Sequence, residues 1–226
     1  MMQSSPESEG PTSPARRINL LDFEQSILPP EIIIPGAQIG AADWPGMISQ
    51  TGKDGKERAL VVSSNAGKLM TSRIFVGRAE TKITPANIHP PFLPHGIKSL
   101  LPGLKDIAYV HTHPKPPELD HIQTTIFSEG DIRAYYDSLY PAMVMIDKGG
   151  VHILLRTFSA DEERELPNYN LDKAAFREAG KGNFTAIEVI QELSKIIYPY
   201  GLRYYYSSTL ESSPRDEILL KKCKGY

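Results

Sequence analysis

Apolar positions along this chain change their spacing several times, and each change marks an element. Glu57 to Ser63, ERALVVS, and Lys68 to Val76, KLMTSRIFV, are β-rich runs joined by Ser-Asn-Ala-Gly. Those turn residues accept left-handed backbone angles, so the pattern predicts a hairpin. Ile107 to Val110 resumes strand character, and Ala142 to Ile146 and Val151 to Thr157 flank Asp-Lys-Gly-Gly, a second hairpin. Between them, Ser128 opens a helical pattern with Ile132, Tyr135, Tyr136 and Leu139 on one face, ended by Pro141.

Nearer the N-terminus, Ile18 to Leu28 has apolar residues at helical spacing and is stopped by Pro29-Pro30, with an extended EIIIP segment next. Ala41 to Ser49 reads as an interrupted helix, because Pro45 and Gly46 break its regularity. Beyond a polar connection after Phe158, helices are predicted over Leu171 to Ala179 and Thr185 to Tyr198. Ile187, Ile190, Leu193 and Ile197 form an apolar stripe on the second, read as core packing. Leu202 to Ser208 reads as a half-buried strand, and a basic tail closes the chain. Two loops stand out, Gly77 to Gly103 with Pro85, Pro90, Pro91 and Pro94, and the stretch 114–127. Loops of that length are often lids or substrate grooves.

Strand, loop, helix and hairpin in this order imply an α/β (α+β) class, a mixed central sheet flanked by helices. Residues 1–17, rich in Ser, Pro, Glu and Gly, are expected to be a disordered leader. Residues 18–160 are expected to form the main domain, with 161–226 a helical C-terminal extension packing on it.

Composition narrows the chemistry. A hydrophobic fraction of 40% in 226 residues supports a real core, and 25 basic against 27 acidic side chains offer no electrostatic case for nucleic acid or an anionic membrane as partner. With no secretion-type apolar segment, the expected location is cytoplasmic, although export by another route would leave no such mark. The single cysteine, Cys223, excludes an intrachain disulfide framework and Cys-rich zinc knuckles. A metal would therefore need histidine and carboxylate ligands.

The sequence offers such ligands together. His111 and His113 end a strand at i and i+2, so their imidazoles leave on one face and can hold one metal between them. Asp131, in the first turn of the helix opened by Ser128, supplies a third ligand. A zinc site with three protein ligands and one open position activates water. Ser128-x-x-Asp131 also reads as a helix capping box, a role compatible with ligation. His89, His95 and His121 lie in proline-rich loops and read as bystanders, while His152 within its strand reads as a surface or packing residue; Glu118 and Asp120 are alternative ligands on a loop.

His111-Thr-His113-Pro followed by Ser128-x-x-Asp131 resembles the His-x-His, Ser-x-x-Asp motif of the JAB/MPN (JAMM) zinc metallopeptidases, and the FSEGDI wording is similar to bacterial JAB-like domains. The resemblance covers about Ala41 to Thr157 and implies a cytidine-deaminase-like fold. It implies Zn2+ held by His111, His113 and Asp131, Ser128 hydrogen-bonding the oxyanion, and an upstream glutamate, Glu57, as catalytic base. Lys56-Glu57-Arg58 is equally readable as a solvated strand start. The implied substrate is a protein or peptide amide, including conjugates of ubiquitin-like proteins. A non-catalytic interaction scaffold and a bacterial effector or toxin on the same fold are the alternatives. The 14 residues between His113 and Ser128 make a longer loop than the motif usually carries.

Overall fold

Runs such as ALVV, IAYV and AMVMI are apolar on both sides of the strand alternation, which suits strands covered on both faces. They form the middle of one mixed sheet. The computed structural model describes residues 14–23, 28–77, 103–114, 126–138, 140–157, 166, 170–178, 185–208 and 216–223. Its strands are β1 (Arg16–Arg17), β2 (Glu31–Pro35), β3 (Arg58–Asn65), β4 (Lys68–Thr71), β5 (Phe75–Val76), β6 (Leu104–Thr112), β7 (Ala142–Asp147), β8 (Gly150–Arg156), β9 (Leu202–Ser207) and β10 (Glu217–Lys222). Their order across the sheet is β1-β2-β10-β9-β8-β7-β6-β3-β4, with β5 also on β3. Pairing is parallel at β1–β2 and β6–β7 and antiparallel elsewhere.

The α-helices are α1 (Trp44–Asp54), α2 (Glu129–Tyr136), α3 (Leu171–Glu178) and α4 (Ala186–Ile197). One face of the sheet packs Leu60, Val110, Val144 and Ile153 against Trp44 and Met47 of α1 and the N-terminal apolar residues. The other packs Val61, Tyr109, Met143 and Leu154 against α2, α3 and α4. The chain is thus mixed α/β, a mixed sheet flanked by few helices, compatible with the expected α+β class. Among the described residues, no helix is long and apolar enough to cross a membrane.

Several local expectations are corrected. Among the described residues after Ile18 there is no regular helix: Asn19 Oδ1 accepts from Leu21 N–H and opens a short 3-10 turn, Leu20–Asp22, while Ile18 N–H continues the β1–β2 pairing to Ile33 C=O, and 24–27 lie outside the described residues. The first regular helix starts later and runs further than the Ala41 to Ser49 reading. Pro45 falls in the first turn of α1, where a missing N–H costs nothing, and Gly55 ends it with φ +66° and N–H to Thr51 C=O. Gly40 before it, at φ +65°, leaves no room for a side chain, since a Cβ would stand 3.0 Å from Leu60 Cδ1.

The Lys68 to Val76 run is two strands, because Ser72 breaks it. Its hydroxyl accepts from Val61 N–H, taking the place of a backbone carbonyl. The preceding turn uses Ala66 and Gly67 at positive φ, as the hairpin pattern requires.

At the C-terminus α3 and α4 form as expected, α4 opened by a Thr185/Glu188 capping box. Its buried side is Val189, Ile190, Leu193 and Ile197, whereas Ile187 is exposed. Residues 161–226 do more than supply helices. β9 lies between β8 and β10, so Tyr204 and Tyr205 are buried on opposite faces and the strand is not half-buried. The stretch read as a basic tail is β10, whose Ile218 and Leu220 point inward while Leu219 and Lys221 point out. Arg16 and Arg17, assigned to the leader, form β1. The rest of the leader up to residue 13, the loop 78–102, the loop 115–125 with Glu118, Asp120 and His121, the connection 158–165, and His89, His95 and Leu139 lie outside the described residues.

If β10 is a core strand, Leu220→Ala should lower unfolding free energy by about 2–5 kcal/mol. Leu219→Ala, on the exposed face of the same strand, should change it by no more than about 0.5 kcal/mol in urea denaturation.

Candidate metal centre

Ala59 of β3 is opposite His111 of β6, and His111 in turn is opposite Met145 of the parallel neighbour β7. Beyond the register shift in its pairing with β3, Tyr109 and His111 of β6 lie on the α2 side of the sheet, while Ile107 packs on the other. Tyr109 stacks beneath His111, ring centroids 5.3 Å apart and 28° between planes, and Phe127 stands 6.0 Å away on the other side. His111 is fully buried inside this aromatic wall, and His113 is partly buried at its rim.

α2 brings the carboxylate. Ser128 is its N-cap, and the capping box expected from Ser128-x-x-Asp131 is present: Asp131 N–H bonds Ser128 Oγ at 3.3 Å, and Ser128 N–H bonds Asp131 Oδ2 at 2.7 Å. Phe127 and Ile132, flanking the cap, are buried in the same cluster, the arrangement of a hydrophobic staple. At the far end Arg156 donates to the Tyr135 and Tyr136 carbonyls, so α2 is held at both termini.

Capping and clustering coincide in Asp131. Its Oδ2 is 3.2 Å from His113 Nε2, its Oδ1 is 3.7 Å from His111 Nε2, and the two Nε2 atoms are 3.2 Å apart. Donor atoms of all three residues lie within 4.8 Å of one another, and the group could hold a metal ion. Burial alone would raise the Asp131 pKa; the charge and hydrogen bond of His113, then His111 and Ser128, outweigh it and hold the carboxyl well below the usual range. Two imidazoles and an ionised carboxylate form a donor set that suits a borderline divalent cation.

Glu57 immediately precedes β3 and is buried, so the reading of a solvated strand start does not hold. The register of Ala59 opposite His111, continued two residues outward past the last paired residues, sets Glu57 opposite His113. Glu57 then shares a face with Ala59 and Val61, the face of the donor cluster. Tyr109 reports the same proximity: burial first, then the charges of Glu57 and Asp131, push its hydroxyl well above the ordinary tyrosine value. Glu57 is not one of the three clustered donors. The Ser128 hydroxyl, expected to face an oxyanion, donates to Asp131 Oδ2 at 2.6 Å.

Three contributions were not apparent in the sequence. Thr112, between the histidines, points to the opposite face, where its hydroxyl is 2.8 Å from Thr51 Oγ1 of α1 and accepts from Arg58 N–H at 2.9 Å. Arg58 is itself buried and bidentate to Asp54, with Nη1–Oδ1 2.8 Å and Nη2–Oδ2 2.7 Å. This network ties α1, β3 and β6 together beside both histidines. Second, a cleft of about 210 Å³ reaches His113 from the α1 side. Third, His152 is buried, a packing residue and not a surface one. It lies next to Met145 in the cross-strand row that starts at His111, and its Nδ1 is 2.9 Å from the Tyr204 hydroxyl. Cys223 is of no use as a nucleophile, since burial pushes its thiol up to about 12. No protein-family model matches the chain, and neither a curated protein nor a solved structure matches it.

Thr112→Val leaves the Arg58 N–H and the Thr51 hydroxyl buried without their partner, which should cost about 1–3 kcal/mol of stability. It should also weaken Co2+ binding about tenfold in a titration followed by visible absorption, with Thr112→Ser restoring both. His152 generates a pH prediction. Burial, helped by the charge of His113, pushes it down to about 3. The unfolded chain protonates this histidine near its ordinary value of about 6.5 while the folded chain does not, so stability falls as pH drops from about 6.5 towards 3. His152→Gln should flatten that part of the stability curve, measured by urea unfolding at pH 7, 5 and 4.

Proposed function

We propose that this protein is a zinc-dependent metallopeptidase of the JAB/MPN type, with the cytidine-deaminase-like topology that type implies, hydrolysing an amide or isopeptide bond in a protein substrate or ubiquitin-like conjugate. The observation that carries the reading is the convergence of His111, His113 and Asp131 with the buried Glu57 set opposite His113. Zinc bonds to imidazole and carboxylate of about 2.0–2.2 Å in a tetrahedron require donors roughly 3.3–3.5 Å apart. The Nε2 atoms are 3.2 Å apart, His113 Nε2 is 3.2 Å from Asp131 Oδ2 and His111 Nε2 is 3.7 Å from Oδ1, spacings close to that requirement.

A zinc ion in such a site supplies Lewis acidity, which makes water acidic enough to ionise near neutral pH and polarises an amide carbonyl. The remaining work belongs to side chains. Glu57 takes the proton of the attacking water and delivers it to the nitrogen of the leaving amine as the C–N bond breaks. Its burial keeps the carboxylate largely out of bulk water. Ser128 aims Asp131 at the histidines through its two hydrogen bonds to Oδ2. When its hydroxyl turns from Asp131 it can donate to the developing oxyanion.

Elemental analysis of the purified chain should find about one zinc per molecule, lost in His113→Ala and in Asp131→Ala. Glu57→Gln should retain zinc yet cut turnover of an isopeptide-linked ubiquitin-like conjugate by about 10²–10⁴-fold. A chain that takes up no zinc would point instead to an interaction scaffold, and an active Glu57→Gln variant would sink the assignment of the base.

A further inference from the structure

The cleft that ends on His113 carries a cation of its own. It lies outside the carboxyl ends of the parallel neighbours β6 and β7, where α/β sheets bind ligands, between Ile48, Thr51 and Gly52 of α1 and Lys148 in the β7–β8 turn. Its volume of about 210 Å³ falls below the roughly 300–1,000 Å³ of pockets for whole small molecules, and suits one amino-acid side chain.

Lys148 is exposed and has no ion-pair partner among the described residues. The carboxylate beside it in sequence, Asp147, turns Oδ1 towards the amides of Gly149 and Gly150, at 2.6 and 2.9 Å, and closes the turn that presents the lysine. The lysine side chain extends across α1. A Cβ built on Gly52 would stand 3.7 Å from both Lys148 Cε and Nζ and would approach nothing else within 4 Å. The absent side chain at Gly52 therefore leaves open the space beneath the ammonium. Hydroxyls of Thr51 and Thr112 line the same cleft and are already bonded to each other, and Asp147 lines it with its Oδ1 held by the Gly149 and Gly150 amides; Lys148 is the one lysine or arginine among the described residues there.

We infer that this cleft is the subsite for a residue next to the scissile amide, and that Lys148 selects a carboxylate there. The inference rests on the peptidase reading for the reaction and on the cleft alone for the selectivity. The carboxylate comes from an acidic side chain or from the free terminus of the peptide. A lysine on a cleft rim discriminates modestly, by about threefold to tenfold.

The test uses the zinc-loaded full chain and internally quenched peptides carrying Asp, Asn or Lys on either side of the scissile bond. A matched pair ends in a free carboxylate or an amide, to separate the two sources. Cleavage rates and equilibrium binding by fluorescence anisotropy are both recorded. Wild type should favour the acidic peptide about threefold to tenfold, less at high salt. Lys148→Glu should reverse the preference towards Lys without changing zinc content. Gly52→Leu should fill the cleft, raising KM or Kd for every peptide while zinc stays bound. Equal binding of acidic and neutral peptides by wild type, or an unchanged preference in Lys148→Glu, would overturn the subsite. Charge-selective binding without cleavage of any peptide would keep the subsite and remove the peptidase reading.

Discussion

Thr112 stands between two histidines in sequence and turns its back on them in space. Its hydroxyl meets Thr51 of α1 and the Arg58 N–H at the start of β3, and the buried Arg58 guanidinium holds the last turn of α1 through Asp54. The strand alternation makes this junction a lever on the site. With Thr112 fixed on one face, His111 and His113 must leave on the other, and Glu57, one residue before Arg58, is held at the same level of the sheet. The metal donors are thereby positioned from behind, by bonds that do not touch the site.

The second determinant is electrostatic. A carboxylate and two imidazoles packed among Tyr109, Phe127 and α2 sit where burial works against charge. Asp131 nonetheless remains strongly acidic, because the histidines offer positive charge and Ser128 offers two donors. Two nearby groups are held uncharged: burial keeps the Tyr109 phenol protonated and pushes His152 down to about 3. An anionic side chain between two nitrogen donors, with a second carboxylate, Glu57, close by, is an environment that favours a divalent cation. On the opposite side of His113 the cleft is lined by two threonines, two glycines, Ile48, Ile146, Asp147 and Lys148.

Much of this was legible in the chain. The middle strands, α2 and the hairpin at Asp147-Lys148-Gly149-Gly150 follow from local pattern, as do the common side of His111 and His113 and the place of Asp131 in the first turn of α2: a strand fixes the relation of i to i+2, and a capping box fixes its residue at N3. Departures fall where long-range pairing overrides local preference. The helical spacing after Ile18 yields to pairing of β1 with β2, and the alternation Glu217-Ile-Leu-Leu-Lys gains its meaning only once β2 and β9 lie on either side of it. Pro45 looked like a break within a helix because the helix start, three residues later than expected, was not marked by a strong cap: Asp43 makes no capping bond.

By itself the sequence determined the alternation of the central strands, the cap that opens α2 and the three side chains that could hold a metal ion, since each depends on residues only a few positions apart. Tertiary structure decided that β6 and α2 meet, that Glu57 is buried opposite His113, that Thr112 is the tie between three elements, and that Lys148 faces Gly52 across a cleft. The first of those relations spans a loop and the others join residues about 50 to 100 positions apart, so only sheet register and helix packing can set them.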